Sequence, residues 1–301
     1  MNRELSKIFL TLACYLLFIY PIPADSNLGG ADYLESGAGA RWAGMGGAAR
    51  AAARDTTAGY WNPAGLAAQG PAEWQFGSML SMAPMGRRLS WMSASLQTDR
   101  MGSWSAGWMH NTVDGLETVD GAGSVGVDGN SAEDAIFLSH GGSLLYQLKW
   151  GVTGKVLSQN MLGYSGMGGA LDAGILLQPF LDHEVFMAFT AENIVGAFSW
   201  NTGTRDRLPR AYAGGLSARI FRDLVLLSGD AVFHEGIKRI EYHGGMEYWL
   251  FEQMALRGGM DGAKPAAGAT YLFRPYQADY AFVYDGSGLG SRHLVSFSLI
   301  F

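Results

Sequence analysis

Residues 292–301 read Arg292-His293-Leu294-Val295-Ser296-Phe297-Ser298-Leu299-Ile300-Phe301. Successive side chains of a strand point to opposite faces. Val295, Phe297, Leu299 and Phe301 therefore share one wholly apolar face, and Arg292, Leu294, Ser296, Ser298 and Ile300 the other. The same period returns upstream. In 276–284, Ala278, Tyr280, Phe282 and Tyr284 alternate with Gln277, Asp279, Ala281 and Val283. In 240–250, Tyr242, Met246, Tyr248 and Leu250 alternate with Glu241, His243 and Glu247. In 184–193, Val185, Met187, Phe189 and Ala191 alternate with Glu184, Thr190 and Glu192. Each segment gathers its carboxylates on one face. In a soluble sandwich that face would meet solvent; in a membrane barrel it lines the lumen while the aromatic face meets lipid.

Composition favours strands. The 301 residues include 43 Gly, 9 Trp, 13 Tyr and 15 Phe. Glycine costs about 1 kcal/mol at each helix-interior position, so a helical bundle is disfavoured, whereas turns and an aromatic girdle suit a barrel. Charged residues make up 16%, below the roughly 25% of an ordinary soluble domain. The net charge of −6 offers no basic surface, so nucleic acid is not an expected partner.

The N-terminus carries Arg3 and Lys7, an apolar run from Ile8 to Tyr20, and then Pro21-Ile22-Pro23-Ala24. This is the pattern of a secretory signal, assigned to 1–24 with cleavage after Ala24. The run is shorter than the ~20 residues a spanning helix needs. An uncleaved anchor, or a lipoprotein processed at Cys14, are the alternatives. Cys14 is the single cysteine, so the mature chain has neither disulfides nor thiolate metal sites.

From residue 72 onward, alternating segments end at Gly, Asn, Asp or Pro, a repeated strand signal. Strands are expected at 72–81, 88–97, 102–111, 135–148, 151–158, 169–178, 184–193, 211–220, 224–233, 240–249, 253–260, 266–272, 277–284 and 292–301. That is about fourteen, an even number as bacterial barrels have. The connections alternate between tight ones (98–101, 149–150, 179–183, 221–223, 250–252, 273–276) and longer ones (82–87, 112–134, 159–168, 194–210, 234–239, 261–265, 285–291). Short turns on one rim and long loops on the other fit an outer-membrane barrel.

Residues 25–70 differ. They hold Gly39-Ala40-Arg41, then Gly44-Met45-Gly46-Gly47-Ala48, an alanine-rich helix candidate at 48–54, Asp55, and Tyr60-Trp61-Asn62-Pro63-Ala64-Gly65-Leu66. This order resembles the N-terminal signature of FadL-like outer-membrane barrels, most closely the PorV/PorQ family. Glu192-Asn193-Ile194 with Leu208-Pro209 is similar to that family's Gln-Asn-Leu and Leu-Pro pair, and 277–282 with 292–301 resembles its last hairpin. One departure is Arg54 before Asp55, where the family usually has two acids; an Arg-Asp pair could satisfy itself locally. The resemblance implies a 14-stranded barrel (71–301) with an N-terminal plug (25–70) in its periplasmic mouth. It also implies one of two activities: a secretion-associated, type IX-like role binding cargo or surface partners, or a FadL-like conduit for hydrophobic molecules.

Other motifs carry less. Gly37 to Gly44 lacks the strand–loop–helix context of a phosphate loop and reads as small residues packed on a barrel wall. Asn62-Pro63-Ala64 reads as a rigid turn, with Pro fixing φ and Asn bonding nearby backbone. Its expected role is to anchor the plug, with contact to cargo or ligand as the alternative. Asp114, Asp120 and Asp128, each before Gly, with Asn130, Glu133 and Asp134, lie in the longest expected loop. They form the candidate surface-partner site; calcium held by oxygen ligands is an alternative. The six histidines show no metal-ligand spacing. Glu184, Glu192, Glu241, Glu247 and Asp279 could pair as in a glycosidase, but lumen-facing carboxylates explain them more simply, and no nucleophile elbow is present.

The sequence thus leads to an exported, non-enzymatic β-barrel in the outer membrane of a Gram-negative-type bacterium, without cofactor or metal. Expected partners are outer-membrane lipid, the barrel assembly machinery, and either a secreted cargo or surface protein or a hydrophobic ligand. The secretion-associated reading leads and the conduit follows; a soluble secreted β-sandwich adhesin is the remaining alternative.

Overall fold

The computed structural model describes residues 31–70, 74–98, 102–119, 125–286 and 290–301; the expected signal peptide lies outside them. Fifteen strands form in chain order: β1 (Trp74–Ala83), β2 (Arg87–Thr98), β3 (Gly102–Val119), β4 (Val125–Leu145), β5 (Leu148–Met161), β6 (Tyr164–Leu177), β7 (Val185–Trp200), β8 (Arg205–Asp206), β9 (Ala211–Ile220), β10 (Val225–His234), β11 (Arg239–Phe251), β12 (Met254–Asp261), β13 (Lys264–Phe273), β14 (Tyr276–Val283) and β15 (Arg292–Ile300). Each wall strand pairs antiparallel with the next, and β1 pairs with β15 through Phe76–Leu299 and Ser78–Phe297. The two-residue β8 pairs only with β7, which also pairs with β9. Setting β8 aside leaves a closed barrel of fourteen strands, which has no exposed edge to satisfy.

The alternation read from the sequence decides inside from outside. On β15, Leu294 and Ser296 are buried inward while Phe297 is 61% exposed. On β14, Asp279, Ala281 and Val283 face in and Tyr280 out; on β11, Glu247 is fully buried and Tyr242, Met246 and Tyr248 are exposed. The outer surface is a belt of large apolar residues carrying Trp74, Trp104, Phe273 and Tyr276 near the rim where β1 begins and β15 ends. That rim also carries the two-residue turns 146–147, 252–253 and 274–275, while the opposite rim, beside the short turns 162–163 and 262–263, carries the extended β3–β4 pair and the long connection from β7 to β9, so the former is the periplasmic one.

The loops depart most from expectation. The expected loop 112–134 is a protruding hairpin: β3 and β4 stay paired through Val113–Ser131, Leu116–Gly129 and Val119–Val125, with a bulge between Val113 and Leu116. Asp-Gly and Asn suggest turns, yet the interspersed Val and Thr keep the backbone extended and the pairing continues past them. The expected loop 159–168 shrinks to a turn between Met161 and Tyr164, because Gly166 and Gly168 lie in β6 beneath the Phe198 ring. The expected loop 194–210 loses its first part to β7, which bulges at Asn193 (φ 53°) and runs on to Trp200. The β4–β5 turn falls at 146–147 and not at 149–150. The contrast between short and long rims is therefore weaker than the sequence suggested.

Residues 31–70 pack inside the barrel as short helical turns: Asp32–Glu35, Ala40–Gly44, Ala58–Trp61 and Pro63–Ala68. The expected helix at 48–54 is a chain of turns with a single helical hydrogen bond, from Ala53 N to Ala49 O. The carbonyls a helix would use are taken elsewhere, Arg50 O by Asn62 Nδ2 and Ala51 O by Ser217 Oγ, while Asp230 accepts from the Ala49 and Arg50 amides at 2.9 and 3.0 Å.

Candidate functional site: the plugged lumen

The lumen has two unlike walls. One, formed by β7 and by β9 to β15, is polar and charged and holds the N-terminal segment. Glu247 of β11 accepts two hydrogen bonds from Arg41, at 2.9 and 2.7 Å, and one from Arg257 at 2.7 Å; Arg257 in turn pairs with Asp279 at 3.0 Å. Arg50 bonds Glu192 of β7 at 2.8 Å and lies 3.7 Å from Asp230 of β10. Such groups are tolerated away from water only when paired and hydrogen-bonded. Further contacts follow this side: Ser217 Oγ donates to Ala51 O, Ala40 N to Ser296 Oγ, and Arg292 to Ser36 O. At the periplasmic mouth, Arg54 lies over the Phe186 ring and 3.8 Å from Glu184. Burial pulls its guanidinium down to about 10, opposed by Glu184. The local Arg54–Asp55 pair that the sequence allowed does not form: Asp55 accepts from Trp42 Nε1 and from Thr57 N.

The other wall, on β2 to β5 with the upper part of β7, carries an apolar patch above small hydroxyl residues, of which Ser139 and Thr153 donate to Gly59 O, with Lys155 5.8 Å from the Phe137 ring. Trp91, Met109, Phe137, Leu157 and Phe198 line it, all buried. The segment meets it with Tyr33, Leu34 and Tyr60. Tyr60 stands edge-on to Trp91 at 5.8 Å, and Trp91 to Phe137 at 5.2 Å, pairs that each add about 0.5–1.5 kcal/mol beyond burial. Burial raises the Tyr60 hydroxyl above its ordinary range; it donates to Leu34 O and accepts from Gly37 N. Above this wall, Glu133 accepts from Asn111 at 2.7 Å and Gln159 at 2.6 Å, forming a polar collar. A cavity of about 20 Å³ remains between Leu34, Tyr60, Lys155, Asn193 and Pro209, about enough for one water.

The plug residues singled out from the sequence all lie in this packing. Met45 is fully buried, with its backbone against Gly245 and Gly259. Gly44 approaches Gly268, Gly47 faces His243, and Gly46 (φ +66°) lies so close to Met260 that a Cβ would stand 2.4 Å from that residue's backbone. Asn62 is fully buried: its Oδ1 caps the Pro63–Ala68 turn through Ala64 N, and its Nδ2 donates to Arg50 O and to Ile175 O of β6. Gly174 is the wall residue that allows this, since a Cβ there would sit 2.1 Å from Asn62 Oδ1. Pro63 and Ala64 are buried beside Gly151, and Gly65 under Ala53 O.

Of the strand residues, Val295, Phe297, Leu299 and Phe301 face outward, and Phe301 N bonds Trp74 O across the closure. Of the described surface candidates, Asp114, Asn130 and Asp134 are not brought together. Asp114 lies 3.9 Å from exposed Arg88; Asn130 is exposed on β4; Asp134 is on the outer wall, accepting from Trp108 Nε1 and contacting His110. Asp120 lies outside the described residues. Among the described residues, no group of three or more His, Cys, Asp or Glu is arranged to hold a metal ion. Sequence reasoning missed Asp230, Arg257 and Asp172, of which Asp172 pairs with Lys155 at 2.7 Å. Their inward register in apolar-looking strands was the available signal.

A closed barrel with an apolar belt and a folded segment in its lumen is a plugged outer-membrane β-barrel, since only closed barrels and helices satisfy their backbone in hydrocarbon. Its fold is FadL-like. The toluene transporter TbuX of Ralstonia pickettii superposes with a TM-score of 0.63 at 14% identity, over 88% of this chain and 98% of that one. The toluene transporter TodX of Pseudomonas putida gives 0.61 at 14%, over 88% and 98%. A Pseudomonas aeruginosa FadL homologue gives 0.55 at 10%, over 84% and 95%. No family model matches the chain, and no curated protein does.

Proposed function

We propose that the protein is a non-enzymatic outer-membrane conduit for hydrophobic small molecules, with its track along the apolar wall of β2 to β5. The observation that carries this reading is the division of the lumen. Every ionic anchor of the plug described above lies on the opposite wall, while Trp91, Met109, Phe137 and Leu157 form an apolar patch, bordered by the internally paired Lys155–Asp172, against which Tyr33, Leu34 and Tyr60 pack. Support also comes from fold neighbours described as toluene transporters. Displacing the 31–37 segment would free the part of the track held by Tyr33 and Leu34, leaving Tyr60 against Trp91, without releasing the ion pairs of Arg41 and Arg50. The test is uptake of a monoaromatic hydrocarbon by cells with and without the barrel. Wild type raises uptake, and Tyr33→Ala raises it further; equal uptake with and without the barrel refutes the conduit.

A second reading, the secretion-associated binding role implied by the PorV/PorQ resemblance, is favoured by one observation: the lumen is filled, and the β3–β4 hairpin presents a projecting surface. Specific, stoichiometric capture of one secreted protein by the intact barrel, lost when 112–131 is shortened, supports that role instead.

A further inference from the structure

The outer belt mixes large side chains with small ones, and one hollow on it is both floored by small residues and walled by large ones. Where β1, β2 and β3 meet, the outward positions are Ser78, Ala94 and Ala106. Phe76 and Phe297 rise on one side of this floor, and Met92 and Ile136 on the other, each 43–61% exposed. The resulting furrow has a volume of about 690 Å³. It runs from Tyr276, at the first position of β14 on the periplasmic rim, across β15 and β1 toward Ile136 of β4. No charged side chain lines it, and its hydroxyl at Ser78 lies 3.5 Å from Phe297 O. At the periplasmic end, exposed Arg274 stands in the turn just before Tyr276.

We infer that this furrow is a seat for one acyl chain of a phospholipid from the periplasmic leaflet, with its phosphate at Arg274. Hydrocarbon contact with a concave apolar surface gains more dispersion contacts than contact with the flat belt around it, so the seated lipid exchanges more slowly than its neighbours. The open end fixes the leaflet: an arginine and an interfacial tyrosine stand at the level where anionic headgroups lie. A second copy of the chain is the rival occupant, because small residues also permit close packing of proteins in membranes. The furrow would then need a matching ridge, and the uncharged lining, with the one arginine of the adjoining turn two residues before Tyr276, fits an amphiphile better.

The test is native mass spectrometry of the intact barrel in mild detergent, before and after delipidation. Wild type is expected to keep a mass increment of one phospholipid after its other lipids are gone. Ala94→Leu/Ala106→Leu fills the furrow with apolar atoms on a lipid-facing surface, and retention should fall at least tenfold; Arg274→Ser should make retention weaker and independent of salt. The heat-dependent gel shift of a folded barrel confirms that the variants are assembled. Equal retention in the filled variant, no retained lipid in wild type, or a dimer whose dissociation follows the Ala substitutions would each overturn the assignment.

Discussion

Replacing Glu247 by Gln should loosen the plug more than replacing its partner Arg41 by Met. Glu247 has no exposed side-chain surface and lies between two guanidiniums, with Arg41 at 2.7 Å and Arg257 at 2.7 Å; Arg257 also holds Asp279. In Arg41→Met, Glu247 and Asp279 share the guanidinium of Arg257, so each carboxylate keeps a cationic contact although one negative charge is in excess. The loss is then about 1.5–3 kcal/mol, the scale of a charge-assisted hydrogen bond. In Glu247→Gln, Arg41 loses the carboxylate that holds it and Arg257 keeps only Asp279. Breaking a buried pair in this way costs about 3–5 kcal/mol. The assay is chemical unfolding of the barrel in detergent micelles, together with protease cleavage of the plug. Glu247→Gln should lower the unfolding midpoint by the larger amount and expose the plug to protease while the barrel still shows its gel shift. The double variant should recover part of the loss, because no cation is left stranded at position 41. If Arg41→Met proved the more damaging, or if the double variant were simply additive, the charge-compensation account would be wrong.

Other changes probe other parts of the molecule. Asn62→Asp keeps the cap acceptor but sets a carboxylate oxygen against Arg50 O and Ile175 O in place of the donor, so it should cost at least about 1–3 kcal/mol; an unfolding midpoint equal to wild type would show that only the cap matters. Gly46→Ala forces a Cβ against the Met260 backbone in a left-handed conformation and should cost about 1–3 kcal/mol of overpacking, seen as faster proteolysis of the plug with the barrel intact. Leu138→Arg puts a charge on the exposed belt and should destabilise the barrel in a bilayer by about 2–4 kcal/mol; no change in folding into vesicles would mean this face does not meet hydrocarbon. Trp91→Ala enlarges the proposed track and should shift uptake toward bulkier hydrocarbons, measured against toluene as the reference solute.

The alternation in 292–301, and its return at 276–284, 240–250 and 184–193, was enough to specify strands and their two faces, and dividing 72–301 by its turn residues gave about fourteen of them. Pleat geometry is local, and burial of one face fixes the register of each strand. The resemblance of residues 39–66 implied a plug segment folded into that barrel's periplasmic mouth. What the sequence could not supply is which buried charges meet. Arg41 finds Glu247 across 206 positions and Arg50 finds Glu192 across 142, and only closure of the sheet brings them together. The loop at 112–134 was misread for a related reason: Asp, Gly and Asn weaken a strand taken alone, but once β3 and β4 are aligned by the wall below, each further pair closes almost no additional loop. The division of the lumen into a charged wall and an apolar one belongs to the tertiary structure as well. It depends on which strands of the closed ring face one another, and a strand's own residues carry no record of the strand opposite.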